Sequence, residues 1–380
     1  MTTRHRLGTA GRDQRASACL RSGWAIWALC ALLLCGCRAE RTAPREPPPK
    51  PPPPPPTVTL AAVGDMMLAR GVGSRIGRLG VEYPFKNVAQ DLSASDITFG
   101  NLECPLSEKG KQAAKAYSFK AAPGAAQCLV LAGFDVVSLA NNHILDCGRT
   151  GLLETLERLQ LKGISWCGAG RTAEQALAAR VIQVKGVKFA FVGFSQFADG
   201  GVSSTAKPTV AGASEEAVRA SVAEARKAAD LVVASFHWGE EYAERPSENQ
   251  RRLAKVAAEA GADLVLGHHA HVLQGFEVIR DPSRPRPTLV AYSLGNFVFD
   301  SRRPKTLESV ILRCRFSGRT LVAASLEPIA IVGWRPELAR GEKGTAILRG
   351  LEKQSAALGT TFVLNQADPA QADILVDQRD

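Results

Sequence analysis

From Thr57 onward the chain alternates short apolar runs with amphipathic helical patterns, and this alternation constrains the fold more than any other feature. The runs are rich in Val, Ile, Leu and Phe, as strands that are buried on both faces should be. Strands that alternate with helices predict a layered α/β fold. The predicted strands are Thr57–Val63, Ile97–Gly100, Val136–Leu139, Phe189–Phe194, Leu231–Ser235, Leu264–Leu266 and Thr288–Tyr292.

Three helices are predicted between these strands from their apolar spacing and end signals. Leu152–Leu161 stops at Gly163, and Ser214–Ala229 begins with a capping serine followed by two acids. The third begins at the capping box that runs from Ser247 to Gln250. Beyond residue 300 the pattern is less regular: a hairpin around Gly318 joins Val310–Phe316 to Leu321–Leu326, and the polar tail after Gln366 is expected to fray.

The amino terminus reads as a targeting segment. Five arginines precede an apolar run of 13 residues, Trp24–Gly36, which suits a signal-peptide core better than a membrane span. The run ends in Leu34-Cys35-Gly36-Cys37, which resembles a bacterial lipobox. We therefore expect residues 1–37 to be a lipoprotein signal peptide with Cys37 lipidated; an uncleaved anchor or a plain secretory signal is the alternative.

A proline-rich stretch separates this segment from the folded part. Residues 38–56 include Pro51 to Pro56, and proline fixes φ and lacks an N–H, so a stiff polyproline II linker is expected. Its last 13 residues would reach about 40 Å. A ligand for a polyproline-binding partner is the alternative reading. The main domain is assigned to residues 57–335 and a C-terminal extension to residues 336–380.

The charge distribution argues against nucleic-acid binding. The net charge is +10, but residues 1–56 hold nine basic and three acidic residues and so supply +6 of it. The remainder has 38 basic and 34 acidic residues, without a basic run that resembles a nucleic-acid-binding face.

Metal-ligand residue types gather in five short blocks, each directly after a predicted strand. The blocks contain Asp65; Glu103; Asn142 with His143 and Asp146; His237; and His268, His269 and His271. Ligands of open α/β sheets bind beyond the carboxyl ends of strands, so these blocks are expected to meet in one crevice. Each block alone has a structural alternative, such as a turn acid, a surface basic turn or a buried core histidine.

The last block, Gly267-His268-His269-Ala270-His271, carries the strongest signal. Three imidazoles within four residues are hard to explain as packing, and imidazole is a good ligand for Zn, Mn or Fe. In an extended segment His269 and His271 would point to the same side, with His268 facing away. This block therefore predicts a metal site with His269 and His271 as donors.

Five cysteines remain outside the targeting segment, and none forms a CxxC pair, which argues against a zinc ribbon or a thioredoxin motif. An exported domain permits disulfides. Cys104 and Cys147 each follow a candidate site residue or block, so a disulfide between them is a hypothesis.

Taken in order, the motifs resemble those of the bacterial capsule-synthesis CapA family over roughly residues 57–300. The motifs are Gly64-Asp65, Gly100-Asn101-Leu102-Glu103, Ala140-Asn141-Asn142-His143 with Asp146, His237-Trp238-Gly239, His269-Ala270-His271 and Ser293-Leu294-Gly295-Asn296-Phe297. That family is associated with poly-γ-glutamate production and belongs to the calcineurin-like metallophosphoesterase superfamily. The resemblance implies a four-layer α/β/β/α sandwich of two mixed sheets that carries a divalent metal site.

The resemblance also implies roles for individual residues. Asp65, Glu103 and His271 would bind one metal ion. Glu103, Asn142, His237 and His269 would bind a second, with Glu103 bridging. His143 matches the histidine that protonates a leaving group, and Asp146, His268 and Asn296 would lie behind the ligands. One or two ions of Mn, Fe or Zn are expected.

Two departures from the pattern matter. The superfamily's first motif is Asp-x-His, whereas Asp65-Met66-Met67 offers no imidazole, so the first metal position is a ligand short. Ala270 replaces a usual proline, with no expected chemical consequence.

Three functions stay open. The protein could be a surface protein of capsule synthesis or export, a metal-dependent phosphoesterase unrelated to capsule, or a non-catalytic factor that binds an acidic polymer. A lipid anchor would place it in the cell envelope, at the outer membrane or the periplasmic face of a membrane, with capsule-synthesis membrane proteins as partners. Arg38 is not the aspartate that signals inner-membrane retention in enteric bacteria.

Overall fold

The computed structural model describes residues 54–198, 207–365 and 370–376, and a compact unit begins at Pro54. The predicted signal peptide, the lipidation of Cys37 and most of the 38–56 linker lie outside the described residues. Within the described residues, no helix combines the length and apolar character that a membrane span requires.

Eighteen strands and eight α-helices make up the described part of the chain. The strands are β1 Thr57–Met66, β2 Ile97–Leu102, β3 Val136–Ser138, β4 Ser165–Cys167, β5 Ala169–Gly170, β6 Arg180–Val184, β7 Val187–Ser195, β8 Thr209–Val210, β9 Leu231–His237, β10 Leu264–His268, β11 Leu273–Ile279, β12 Thr288–Leu294, β13 Asn296–Val298, β14 Glu308–Ser317, β15 Thr320–Val332, β16 Arg335–Leu338, β17 Phe362–Asn365 and β18 Gln371–Ile374. The helices are α1 Arg70–Leu79, α2 Ala89–Ser93, α3 Ala126–Leu131, α4 Gly148–Leu161, α5 Ala173–Leu177, α6 Glu215–Ala228, α7 Glu248–Ala260 and α8 Gly341–Ala356, with two short 3₁₀ helices at Pro123–Ala125 and Pro304–Leu307.

Two mixed sheets form the frame. The first has the order β17-β18-β15-β14-β1-β2-β3-β4, with β13 beside β1 and β16 beside β15. Strands β1 to β4 are parallel, and β14 joins β1 in antiparallel fashion. The second sheet has the order β11-β12-β10-β9-β7-β6, with a parallel centre and antiparallel edges. The parallel strands of each sheet therefore end at a common edge, where their loops can meet.

Three apolar layers hold the sheets and helices together. Between the sheets, Leu60 and Phe99 pack with Phe191 and Leu266, and the Phe99 and Phe191 rings stack with centroids 5.6 Å apart. The other face of the first sheet packs against α1 to α4, and the other face of the second packs against α6 and α7. The alternation of side chains along each strand supplies both faces. The predicted α/β/β/α sandwich of two mixed sheets is confirmed.

Local signals also behave as predicted. All seven predicted strands are present and extend by at most a few residues, and β14 and β15 form the predicted hairpin. At the start of α7 the hydroxyl of Ser247 accepts from the N–H of Gln250, and the Gln250 side chain accepts from the N–H of Ser247. Such a reciprocal cap satisfies two helix-end donors at once.

Two sequence-based expectations fail in the described structure. The tail after Gln366 does not simply fray, because β18 pairs with both β15 and β17 and buries Ala372 and Ile374. Cys104 and Cys147 do not form a disulfide: both are buried free thiols, as are Cys128, Cys167 and Cys314. Adjacency to site residues brought the two cysteines into the same region without providing the bond.

Candidate metal centre at the carboxyl ends of the strands

The five polar blocks lie together where the parallel strands of the two sheets end. Asp65 lies near the end of β1, Glu103 directly follows β2, and His237 and His268 are the last residues of β9 and β10. Ligand atoms of Asp65, Glu103 and His237 lie within 4.8 Å of one another, close enough to share one metal ion. The convergence follows from parallel strand order, which places successive strand ends at one edge.

Glu103 lies at the middle of the cluster. It is fully buried, and its Oε1 has no hydrogen-bond partner. Three imidazole nitrogens surround that oxygen: Nε2 of His237 at 3.8 Å, and Nε2 of His143 and of His271 at 3.9 Å each. These separations are too long for hydrogen bonds. Those of His237 and His271, the two predicted ligands among the three, suit atoms that share a cation with Glu103. A buried carboxylate oxygen without a partner is costly, and a metal ion would remove that cost.

Asp65 is held by donors from both sheets. Its Oδ1 accepts from Asn101 Nδ2 at 2.8 Å, and its Oδ2 accepts from the backbone N–H of His269 at 3.2 Å. Nδ1 of His268 and Nδ1 of His271 each approach a carboxylate oxygen at 3.5 Å. These contacts join the end of β1 to the loop after β10 and fix where the carboxylate points.

The other predicted donors complete the cluster. Nε2 of His237 lies 3.0 Å from the amide Oδ1 of Asn142 and 3.1 Å from Nδ1 of His269. Burial, followed by the positive charge that His269 would carry, lowers the pKa of His237 well below its usual value. Burial and then His271 lower the pKa of His269 to about 3. Both rings are therefore neutral at neutral pH, the form in which imidazole binds metals.

Without a metal ion, the pKa values of the two carboxyl groups shift in opposite directions. Burial opposes ionisation of Asp65, but the close approach of the His268 and His271 rings outweighs it, and the pKa of Asp65 lies well below its usual value. Burial, then the negative charge of Asp65, raises the pKa of Glu103 well above its usual value. A divalent cation would offset the repulsion between the two carboxylates and favour ionised Glu103. The donor set thus fits a metal ion.

The loop that carries His269 and His271 differs from the extended segment expected from the sequence. Strand β10 ends at His268, and His269 and His271 have φ angles of 92° and 57°. Non-glycine residues rarely adopt positive φ, and such strain concentrates at functional sites. Both imidazoles still face the cluster, with ring centroids 5.9 Å apart. The two side chains therefore point to the same side as predicted, but positive φ angles place them there rather than the alternation of an extended strand.

His268 does not simply face away from the cluster. It is buried, its Nδ1 lies beside Asp65, and neither ring nitrogen has a hydrogen-bond partner within the described residues. Asn296 lies behind His271: its Oδ1 is 2.9 Å from His271 Nδ1, while its Nδ2 donates to the Thr306 carbonyl. Because that bond fixes the Asn296 amide, Nδ1 of His271 carries the proton and Nε2 presents its lone pair to the site.

His143 is oriented for proton transfer at the edge of the cluster. Its Nδ1 lies 2.8 Å from Asp146 Oδ2, and the other Asp146 oxygen pairs with Lys115 Nζ at 2.6 Å. The Phe119 ring stacks on the imidazole with centroids 3.9 Å apart. Burial lowers the pKa of His143. The carboxylate and the stacked ring fix one orientation in which Nε2 points towards Glu103 and the cluster.

Two asparagines that the sequence analysis assigned no role organise the site. Asn101 donates to Asp65 and lies 3.3 Å from His237 Nδ1, and it accepts from Asn141 Nδ2 at 3.1 Å. The Asn141 Oδ1 accepts from the backbone N–H groups of His143 and Ile144. The signal was present, since both residues belong to the strand-end motifs, but an amide two residues before Glu103 or beside Asn142 looks like an ordinary turn residue.

Met67 occupies the position where the superfamily pattern has an imidazole. It is fully buried, and its sulfur accepts from the N–H of Ala69 at 3.2 Å. A thioether is a soft donor that suits Cu(I) better than Mn, Fe or Zn. The cluster therefore offers fewer hard donors on the Asp65 side than on the His237 side.

Glu154 of α4 supports the loop that follows Glu103, and this support gives a testable prediction. Its Oε2 accepts from Ser107 Oγ and from the backbone N–H groups of Glu108 and Lys109 at 2.7 to 3.1 Å. Burial opposes its ionisation, but these bonds and Arg158 lower the pKa from 4.5 to about 2. Glu154→Gln should lower the free energy of unfolding at neutral pH by about 2 kcal/mol, because the acceptor loses its charge.

The stabilisation of the fold by Glu154 depends on pH in a defined direction. A carboxyl whose folded pKa is depressed stabilises the fold fully above its ordinary pKa of 4.5, and that stabilisation is lost as the pH falls towards 2. Denaturant titrations across this window should show the gap between the parent protein and Glu154→Gln closing. Glu157→Gln, an exposed acid on the same helix, is the control and should leave stability unchanged. A gap that stays constant down to pH 2 would contradict the assigned pKa.

Comparison with known proteins now places the chain in a family. The family described as bacterial capsule synthesis protein, PGA_cap, matches residues 59–301 and so covers the cluster, the second sheet and strands β1 to β4 and β13 of the first. The chain belongs to this family. The PGA_cap region begins in β1 and ends just after Asp300, so it includes all five polar blocks.

Relatives share most of their length with the chain. It is 32% identical over 318 residues to the capsule biosynthesis protein CapA of Bacillus anthracis, covering 81% of this chain and 75% of that protein. It is 33% identical over 299 residues to the PGA biosynthesis protein CapA of Bacillus subtilis, covering 77% of each.

Solved structures match more distantly. A hypothetical protein of Thermus thermophilus covers 71% of this chain and 98% of its own, with 18% identity and a TM-score of 0.44. A putative 5′-nucleotidase of Staphylococcus aureus covers 78% of this chain and 58% of its own, with 15% identity and a TM-score of 0.45.

Proposed function

We propose that the protein is a cell-surface lipoprotein whose divalent metal centre acts in the synthesis or export of poly-γ-glutamate capsule. One observation carries the proposal. A member of the capsule synthesis family places a buried, unpartnered carboxylate oxygen of Glu103 among three imidazoles at a sheet edge. The two CapA relatives, which are described by capsule and PGA biosynthesis, support the biological context.

The donor set favours one class of metal. Carboxylate, amide and imidazole donors suit Mn, Fe or Zn. Glu103, Asn142, His237 and His269 form the fuller half of the cluster, while Asp65 and His271 lack the imidazole that Met67 replaces. We propose one firmly bound ion at the fuller half and a weaker second position beside Asp65.

The mouth of the site supports an acidic substrate. Lys115 Nζ lies 3.0 Å from the Asn142 carbonyl, Arg70 lies 5.2 Å over the Phe119 ring, and Arg303 lies 4.0 Å over the Tyr242 ring. Asn142 directly precedes His143, the Phe119 ring stacks on His143, and the Tyr242 ring lies beside His271. Lys115 pairs with Asp146 and Arg70 pairs with Asp300, so Arg303 would contribute most of the attraction for carboxylates or phosphates of a polymer.

The residues of the chain have distinct tasks in this proposal. A bound divalent ion would polarise an oxygen of the substrate as a Lewis acid. Asp65, Glu103 and the amide and imidazole donors would hold the ion, and Asn101 and Asn296 fix the orientation of Asp65 and His271 among those donors. Nε2 of His143 would donate a proton to the leaving group from the doubly protonated ring, a form that the Asp146 carboxylate stabilises at Nδ1 against the opposing effect of burial.

A non-catalytic role is the second candidate, and Met67 favours it. Loss of an imidazole from the first metal position weakens a two-metal clamp, whereas one ion and a cationic mouth still suffice to bind an acidic polymer. A phosphoesterase unrelated to capsule would use the same residues on a different substrate. We propose the envelope location, with Cys37 as the lipid anchor and capsule-synthesis membrane proteins as partners, from the sequence motifs alone.

The test is binding and turnover of poly-γ-glutamate by metal-loaded protein, beside a neutral polymer of similar length and a set of phosphodiesters. The proposal expects poly-γ-glutamate to bind or be cleaved, and chelation to abolish this. Cleavage of a phosphodiester without any interaction with the acidic polymer would favour the unrelated phosphoesterase. Metal-loaded protein that interacts with neither would refute both functions.

A further inference from the structure

A cluster of basic residues lies at the opposite end of the parallel strands from the metal centre. A shallow cavity of about 370 Å³ there is lined by Lys188, Arg226, Lys227, Asp230, Arg286 and Arg319. Lys188 is near the start of β7, Asp230 directly precedes β9, and Arg286 lies in the loop before β12. These are the amino ends of strands whose carboxyl ends carry the cluster, so the two sites are separated by the length of the sheet.

The cavity has an excess of positive charge that the fold maintains. Five cations and one carboxylate line it. Asp263, buried behind it, binds Arg226 at 2.7 Å and Arg286 at 3.1 Å, and Glu224 pairs with Lys227. When Asp230, Asp263 and Glu224 are all counted against the five cations, a net charge of two positive remains. Since one buried carboxylate holds two guanidinium groups, their positions are set without a ligand.

The remaining cations lie at the surface, where a partner can reach them. Lys188 is exposed, whereas Lys227 pairs with Glu224 at 2.8 Å and Arg319, whose side chain is 71% exposed, pairs with Asp230 at 2.7 Å across the two sheets. The Lys227–Glu224 pair is exposed to solvent and such pairs contribute little, so Lys227 can exchange its carboxylate for a phosphate oxygen. Fixed guanidinium groups beside mobile ammonium groups are a common arrangement for binding phosphate oxygens. The chemistry therefore favours a phosphate-bearing, anionic partner.

The path of the chain indicates which partner. The backbone carbonyl of Pro56 accepts from the N–H of Gly318, the residue before Arg319, at 2.9 Å. Lys185 Nζ donates to the Thr57 carbonyl at 3.2 Å. The chain that precedes Pro54 therefore joins the domain beside the basic cavity, and its 53 residues include the apolar run Trp24–Gly36. The end that carries the proposed anchor is the end that carries the cations.

We propose that this basic end binds the phosphate groups of an anionic membrane surface and holds the domain with its metal centre facing away from the lipid. The orientation rests on the proposed anchor, whereas the lipid binding rests on the cavity alone. Cationic clusters add attraction to anionic lipid for each charge near the surface, and the attraction falls with added salt. A linker that reaches about 40 Å permits this contact without requiring it.

The test uses a fragment that begins at Pro54, which contains all three apolar layers but lacks the proposed anchor. It is sedimented with vesicles of phosphatidylcholine alone and of phosphatidylcholine with phosphatidylglycerol. We expect binding only to the anionic vesicles and release by salt. Lys188→Gln with Lys227→Gln should weaken binding by roughly twenty-fivefold, about fivefold for each charge. Lys343→Gln, an exposed lysine at the start of α8, should bind as the parent does.

Several outcomes would overturn the proposal: no difference between the two vesicle types, an equal loss in Lys343→Gln, or complete competition by inorganic phosphate, which would indicate a small-anion site. Displacement by poly-γ-glutamate at matched ionic strength would indicate a polymer site instead. Metal content and polymer turnover measured on the same double variant should equal those of the parent. A loss of vesicle binding alone therefore separates this site from the metal centre, and a failed metal centre leaves the vesicle result interpretable.

Discussion

Glu103→Gln should lower the affinity for a divalent metal by more than about 100-fold while the protein stays folded. Residues that only orient metal ligands already contribute about 10- to 100-fold, and Glu103 is proposed to bind the ion directly. Burial, then the negative charge of Asp65, raises the pKa of Glu103, which favours the neutral form of this side chain in the metal-free protein. Glutamine has the same shape and charge as that form, and we therefore expect little change in the metal-free stability.

Titration calorimetry with Mn²⁺ or Zn²⁺, together with thermal unfolding in chelator, measures both parts of this expectation. Glu240→Gln is the matched control, because that acid is exposed in the loop after His237 and lies outside the proposed ligand set. It should keep the parent affinity. Equal affinity in Glu103→Gln and the parent would show that this carboxylate holds no ion. Unfolding of the variant in chelator would show a structural role instead.

His143→Ala should reduce turnover by roughly 10²- to 10⁴-fold and leave the metal content unchanged. The reason is geometric: Nδ1 of His143 is engaged by Asp146, so only Nε2 can deliver a proton towards the cluster. Parallel measurements of bound metal and of hydrolysis on the best substrate found for the parent would check it. Asp146→Asn should reduce turnover less and shift the acid limb of the pH profile, since it alters the orientation and charge beside the ring.

The two readouts distinguish the candidate functions. If the parent hydrolyses its substrate and His143→Ala does so equally well, then the assigned proton donor is wrong. If the variant loses metal together with activity, His143 is a ligand rather than a proton donor. If the parent shows no hydrolysis but binds acidic polymer in a metal-dependent way, the assembly role replaces the hydrolase.

Much of the fold was predictable because its signals are local. Apolar runs of strand length and helices with capping residues such as Ser247 depend on neighbours within a few residues. The meeting of Asp65, Glu103 and the imidazoles was also predictable, since the carboxyl ends of parallel strands share one edge. The four-layer arrangement came from the motif resemblance, because strand order cannot be derived from periodicity.

The features that could not be predicted from the sequence depend on contacts between distant segments. The pairing of β18 with β15 buries Ala372 and Ile374, although the segment looks polar when it is considered alone. The left-handed backbone of His269 and His271 depends on the strand-to-loop junction, in which Asp65 accepts the His269 N–H. Asn101 acquires its role only where β1, β2 and β9 end together. No local pattern encodes such contacts.

The proposed metal centre requires one cation between the Glu103 carboxylate and the imidazoles. An anomalous difference map from crystals grown with Mn²⁺, recorded on both sides of the metal absorption edge, would show it. We expect a peak bonded to Glu103 Oε1, with His237, His269 and Asn142 among its ligands. Fully occupied Mn²⁺ at another position would contradict this metal centre. So would a map without an Mn²⁺ peak among these side chains in which Glu103 pairs with a proton donor.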